Sequence, residues 1–165
     1  MQIRVRNTGA VMYEDEFRRL HEGLGLPKLL TEEVINEWGG DIVLEGPQAT
    51  GGTVYQYSMR SGVTEIEGKW YTNYVLGPIF TDRAAEGDQP AQTAAEQETA
   101  YRAMKDAEQA ANVRRSRTEK LKDCDWTQIA DSTADKAAWA TYRQALRDIT
   151  TASGFPWTMT WPESP

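Results

Sequence analysis

Apolar and polar residues in the first 40 positions follow short patterns typical of a strand and two amphipathic helices. Residues 2–6 alternate with the period of a half-buried strand. Acidic residues precede Phe17, where they favour the start of a helix. Thr31 is a suitable N-cap for a second helix, which Gly39 and Gly40 end. We therefore expect one strand followed by two short helices.

The next stretch is rich in Val, Ile, Tyr and Thr, which favour strands. Ser61-Gly62 and Glu67-Gly68 are typical turn pairs between such runs. The pattern predicts strands at residues 41–45, 53–60, 63–66 and 69–76. Because short turns join antiparallel neighbours, we expect a small antiparallel meander.

Helix-forming residues dominate the chain after Phe80. Pro90 suits a first helical position, and residues 91–120 are mostly Ala, Glu, Gln, Arg and Lys. The few large apolar residues in this stretch cannot form a wide core stripe. The pattern predicts a long, largely solvated helix.

A second helix follows, with Ser132 or Thr133 as its expected cap. Trp139, Tyr142 and Leu146 recur in it at helical spacing. This stripe is interpreted first as core, and its alternative role is to grip a partner. After Gly154, apolar and polar residues alternate, which predicts an extended aromatic tail.

Together these patterns predict an α+β fold. It comprises a small N-terminal antiparallel β-meander with two short helices, a long connecting helix, and a C-terminal helical module with the extended tail. The expected boundaries are residues 1–80, 81–120 and 121–165.

Charge and composition limit the function. The net charge of −7 argues against nucleic acid and anionic membrane as partners, since phosphate binding needs excess Lys and Arg. One Cys and one His provide no metal cluster, and we expect no cofactor and no small-molecule substrate. His21 near Glu14 and Glu22 is a weak acid–base candidate without a nucleophile motif or a second polar cluster, so no catalytic residue is assigned and we expect no enzyme. Cys124 is expected to be a small structural thiol.

Four motifs in order resemble the phage tail assembly chaperone family. They are an Arg-rich helix end at residues 114–117, Asp125-Trp126-Thr127-Gln128, the helix from Trp139 to Asp148, and Gly154-Phe155-Pro156 followed by Trp161-Pro162. The resemblance covers roughly residues 114–162. Residues 5–11 and 68–72 are similar to the head of other phage tail proteins.

The resemblance implies a protein encoded beside a tail-fibre gene that helps a trimeric tail fibre or tail spike to fold, trimerise or attach. It implies no catalysis and no cofactor, and it implies action in the host cytoplasm during assembly. The alternative is a structural component retained in the virion as a fibre tip or baseplate adaptor. A glycan-cleaving enzyme is a distant third hypothesis, because no paired carboxylates can be placed.

The C-terminal tail and two arginines are the candidate partner-binding residues. Two indoles in a short terminal segment are costly to leave in water, so they pack either on this chain or on a partner. Arg143 and Arg147 are helix neighbours that are either solvated or docked on carboxylates or carbonyls. The full predicted set is Phe155, Pro156, Trp157, Met159, Trp161, Pro162, Arg143 and Arg147.

Overall fold

A computed structural model describes all residues from Met1 to Pro165. The chain divides into two compact units, Met1–Ile79 and Phe80–Pro165. The first contains a five-stranded sheet and two short helices, and the second is mainly helical. The predicted α+β class is therefore confirmed. No helix combines the length and the apolar character needed to cross a membrane.

The N-terminal unit is built on a mixed sheet with the strand order β2-β1-β3-β5-β4. Its two helices are α1 at Glu14–Leu20 and α2 at Glu32–Glu37. Thr31 caps α2 as predicted, because its side chain accepts a hydrogen bond from the Val34 amide. The strands are β1 at Gln2–Val5, β2 at Val11–Tyr13, β3 at Gly40–Leu44, β4 at Tyr57–Ile66 and β5 at Lys69–Gly77.

The predicted antiparallel meander is wrong in its pairing. β5 lies between β3 and β4, and it runs parallel to β3, with Val43 opposite Trp70. The 12 residues between β3 and β4 let β4 lie one strand away from β3, and the chain then returns through the Glu67-Gly68 hairpin to place β5 between them. Runs of β-formers predict strands but do not specify which strands become neighbours.

Ser61-Gly62 does not end a strand, contrary to the prediction. β4 continues through it, and the register shifts between Arg60 and Val63 as one extra residue is accommodated. Gly62 has φ +72°, a conformation suited to glycine in such a bulge. The second predicted turn is confirmed, since Glu67 and Gly68 both have positive φ between paired Ile66 and Lys69.

The core of the N-terminal unit lies between the sheet and its helices. Buried Ile3, Val5, Phe17 and Ile35 form its central cluster. The His21 ring packs at 4.4 Å from that of Phe17, and its Nδ1 donates to the Phe17 carbonyl at 2.9 Å. These contacts give His21 a structural role beside the core.

The C-terminal unit begins with an exposed ribbon. Backbone hydrogen bonds pair Arg83 with Gln92 and Glu86 with Gln89. Helix α3 then spans Ala94–Asp123, so the predicted start at Pro90 is wrong. Thr93 is the N-cap, and its amide and hydroxyl both donate to the Glu96 carboxylate in a capping box.

Helix α4 spans Lys136–Asp148 and is capped by Asp135 rather than by Ser132 or Thr133. The Asp135 carboxylate accepts hydrogen bonds from the amides of Ala137 and Ala138. Asp135 caps α4 in place of Ser132 or Thr133 because its carboxylate satisfies two amides at the start of the helix that have no partner within it. Short 3-10 helices at Asp125–Gln128 and Ile149–Thr151 precede and follow α4.

Limited proteolysis is expected to cut the chain first between Asp82 and Gln92. Residues 81–93 are all exposed, and two bridging pairs with a few exposed side-chain hydrogen bonds hold the ribbon. Mass spectrometry of the early fragments identifies the cut. First cleavage inside residues 53–76 would contradict the predicted division at residue 80.

Candidate partner-binding surface

The C-terminal unit has a small core in which α4 packs against the end of α3. Cys124, Tyr142 and Leu146 are buried, and Leu121, Trp139 and Trp161 pack around them half-buried. The predicted core stripe is confirmed for Tyr142 and Leu146. Trp139 keeps one side exposed, so its removal is expected to cost less than the ~3–5 kcal/mol of a fully buried aromatic residue.

The Asp125-Trp126-Thr127-Gln128 turn is anchored by its threonine. Thr127 is fully buried, and its hydroxyl donates to the Cys124 carbonyl at 2.7 Å. The Thr127 hydroxyl oxygen also accepts a hydrogen bond from the Gln128 side-chain amide at 2.9 Å. Trp126 is directed outward and remains 53% exposed. The turn is therefore held from within while it presents an indole on the surface.

Arg143 joins the turn to α3. Its Nη1 donates to the Leu121 carbonyl at 2.8 Å and to Cys124 Sγ at 2.9 Å, while Nη2 donates to Asp125 Oδ1 at 2.8 Å. Burial lowers the pKa of the Arg143 guanidinium, but its hydrogen bonds to Asp125 and Cys124 outweigh this effect and raise it overall. Although Arg143 is predicted to bind a partner, its guanidinium donates hydrogen bonds to groups of its own chain.

The tail is not the extended segment that alternation predicts. The amides of Trp157 and Thr158 both donate to the Gly154 carbonyl, at 2.8 and 2.7 Å, and close a turn. Gly154 has φ +81°, and a Cβ there would lie 2.3 Å from the Thr158 hydroxyl. A glycine is therefore required at this position. Only the residues after Thr158 lack turn structure.

Three contacts hold the tail against α3. Trp157 Nε1 donates to Asp106 Oδ1 at 2.6 Å. Arg114 and Lys120 lie 5.7 and 5.5 Å from the ring centroids of Phe155 and Trp161, within cation–π range. Part of the Arg-rich helix end therefore contacts the aromatic tail.

The predicted set of partner-binding residues is only partly brought together. Arg147 is exposed on α4, whereas Arg143 is turned into the unit. The tail members of the set are all half-buried, namely Phe155, Pro156, Trp157, Met159, Trp161 and Pro162. One side of the tail therefore packs against its own unit, and the other side faces solvent.

Trp157→Phe is expected to lower the free energy of unfolding of the C-terminal unit by about 1 kcal/mol. The change keeps an aromatic ring but removes the donor to Asp106. Urea unfolding monitored by circular dichroism measures the loss. Trp126→Phe is the matched control, since that ring is largely exposed. Equal midpoints for the two variants would show that the hydrogen bond adds no stability.

Two surface residues were not among the sequence-predicted site. Trp126 and Ile129 are 53% and 55% exposed on and beside the turn. Periodicity does not select them because they lie between helices. A Trp within a polar helix-breaking stretch is the signal that could have indicated Trp126.

Residues 110–165 match the model of the phage tail assembly chaperone protein family. The match covers roughly a third of the chain, and it includes the end of α3, the turn, α4 and the tail. Comparisons with curated proteins and with solved structures give no match. The resemblance inferred from the C-terminal motifs is confirmed.

This match supports a role in phage tail assembly and interaction with tail proteins. It also suggests a non-enzymatic protein that acts in the host while tails are assembled. The similarity of residues 5–11 and 68–72 to other phage tail proteins stays a prediction.

Proposed function

We propose that the protein is an assembly chaperone for a trimeric phage tail fibre or tail spike, and that it promotes folding, trimerisation or attachment of that partner. The observation that carries the proposal is the family match over residues 110–165. These residues include most of a compact folded unit rather than an isolated peptide. In this proposal the partner binds to the surface of that unit.

The exposed side of the tail and Arg147 are the proposed fibre contacts. Half-buried Trp157 and Trp161 are fixed by Asp106 and by the core, so little freedom is lost when a partner covers them. Aromatic side chains are enriched at the centres of protein interfaces. Arg143 is proposed to act indirectly, by holding the turn and α4 in place.

Co-purification with the tail-fibre protein of the same phage tests this proposal. Tagged fibre is co-expressed with the full chain, and the bound chain is quantified. We expect the wild type to co-purify and Arg147→Glu to reduce the yield. Arg19→Glu, at an exposed position of α1 outside the matched residues 110–165, is the matched control. Failure of the wild-type chain to co-purify would contradict the proposal.

Mass spectrometry of purified virions separates a transient chaperone from a retained component. The chaperone is expected to be absent or far below the fibre in amount. A stoichiometric amount would instead support the alternative role as a fibre tip or baseplate adaptor.

A further inference from the structure

Cations near the end of α3 lie beside the aromatic tail and form a patch that we call the Arg114 surface. It is defined as Arg114, Arg117, Lys120, Phe155 and Trp161. The Arg114 guanidinium and the Lys120 ammonium lie 5.7 and 5.5 Å from the ring centroids of Phe155 and Trp161. Arg117 is three residues from each of the other two cations, so the three occupy neighbouring positions on the surface of α3.

The cations of the Arg114 surface have no counter-ion in the chain. Eight other Lys and Arg side chains form ion pairs with carboxylates, and none of the eight belongs to this surface. Arg117 is half-buried, and its Nε is buried without a hydrogen-bond partner. The carboxylates nearest along the chain, those of Glu119, Asp123 and Glu163, are exposed and belong to no ion pair. A carboxylate of a partner therefore meets cations that no other group has neutralised.

The helix dipole accounts for only part of this positive charge. Cations are favoured in the last turn of a helix, and Lys120 lies in the last turn of α3. Arg114 and Arg117 lie more than one turn before the end of α3 at Asp123, where the effect of the dipole has faded. A role at the helix end therefore explains Lys120 but not the two arginines.

We infer that the Arg114 surface binds a segment of the tail-fibre protein that carries Asp or Glu next to apolar side chains. The inference rests on the proposed function and specifies the partner chemistry at the tail. Charge complementarity selects an acidic segment, and a guanidinium can bind a carboxylate through two parallel hydrogen bonds. The half-buried rings of Phe155 and Trp161 offer apolar contact beside the cations.

Nucleic acid and a second copy of the chain fit this surface less well. Repulsion by the net charge of −7 opposes a nucleic acid, whereas a short acidic segment of protein meets mainly the local cations. A second copy would have to place an acidic region on this basic surface, so the contact would be head to tail. Such contacts lead to rings or filaments, whereas a fibre segment needs no further copies of the chain.

Binding to synthetic peptides tests the inference. Overlapping peptides that span the fibre protein of the same phage are immobilised, and the full chain is titrated over them at two salt concentrations. We expect the bound peptides to be acidic and apolar, and we expect binding to weaken at the higher salt concentration. Replacement of Asp and Glu in a bound peptide by Asn and Gln is expected to remove most of the binding. Arg114→Gln with Lys120→Gln is expected to weaken binding by about tenfold or more.

Arg115→Gln with Lys122→Gln is the matched control for this double variant. It removes the same charge from exposed positions of α3 that point about 160–180° away from buried Val113. It is expected to change peptide binding far less, which separates the Arg114 surface from a general effect of net charge. Arg117→Gln is a second test at the surface, used if the first double variant lowers the unfolding midpoint in urea.

Several results would overturn the inference. They are no bound peptide, bound peptides without Asp or Glu, equal weakening by the two double variants, or wild-type binding by both the first double variant and Arg117→Gln. Tighter binding to a single-stranded oligonucleotide than to any peptide would assign the surface to nucleic acid. Self-association in sedimentation that the first double variant abolishes would assign it to a second copy. Whole fibre that still co-purifies under any of these results leaves the proposed function standing, whereas loss of co-purification by the wild type is failure of that function itself.

Discussion

Leu146→Ala is expected to lower the free energy of unfolding of the C-terminal unit by about 2–5 kcal/mol. Leu146 is fully buried and packs with Cys124 and Tyr142. The substitution removes apolar contacts from a core with few other members, and it leaves a cavity. Urea unfolding monitored by circular dichroism measures the change.

Met104→Ala is the control for this prediction. Met104 is also apolar and lies in the same unit, but 47% of it is exposed. Its replacement is expected to change stability by less than about 0.5 kcal/mol. Comparable losses in the two variants would contradict the core assigned to α3 and α4.

Phe17→Ala is expected to destabilise the N-terminal unit by about 3–5 kcal/mol. Phe17 is fully buried, and it belongs to the core that includes Ile3 and Ile35. If the two units are separable modules, the loss is confined to the N-terminal unit. Hydrogen exchange read out by mass spectrometry distinguishes the units.

Leu20→Ala is the matched control, since Leu20 lies on the same helix and is 55% exposed. It is expected to leave protection in β1 and β3 unchanged. If the Phe17→Ala variant shows increased exchange in α4, the two units are coupled and are not separable modules.

Local signals explain which parts of the fold could be predicted. The Thr31 cap and the Glu67-Gly68 turn depend on neighbouring residues alone, and both are confirmed. The position of β5 depends on competition between distant strands, which no local pattern encodes. Where several residues could cap one helix, as Ser132 and Asp135 could for α4, the choice depends on the final backbone geometry.

The candidate site shows the same limit. The sequence motifs indicate the family whose model matches residues 110–165. Alternation indicates that the tail aromatics matter, but it does not show that Trp157 bonds to a helix residue 51 positions earlier. Arg143 and Arg147 look equivalent in sequence, yet only the first lies within reach of Leu121 and Asp125. The two arginines are distinguished by tertiary contacts, which a sequence pattern does not show.

The yield of soluble trimeric fibre, with and without this chain, tests the central claim most directly. The fibre protein of the same phage is expressed alone, with the wild-type chain, and with Leu146→Ala. Size-exclusion chromatography with light scattering quantifies the trimer. We expect abundant trimer only with the wild-type chain and a reduced amount with the destabilised variant. An equal trimer yield from fibre expressed alone would contradict an assembly role.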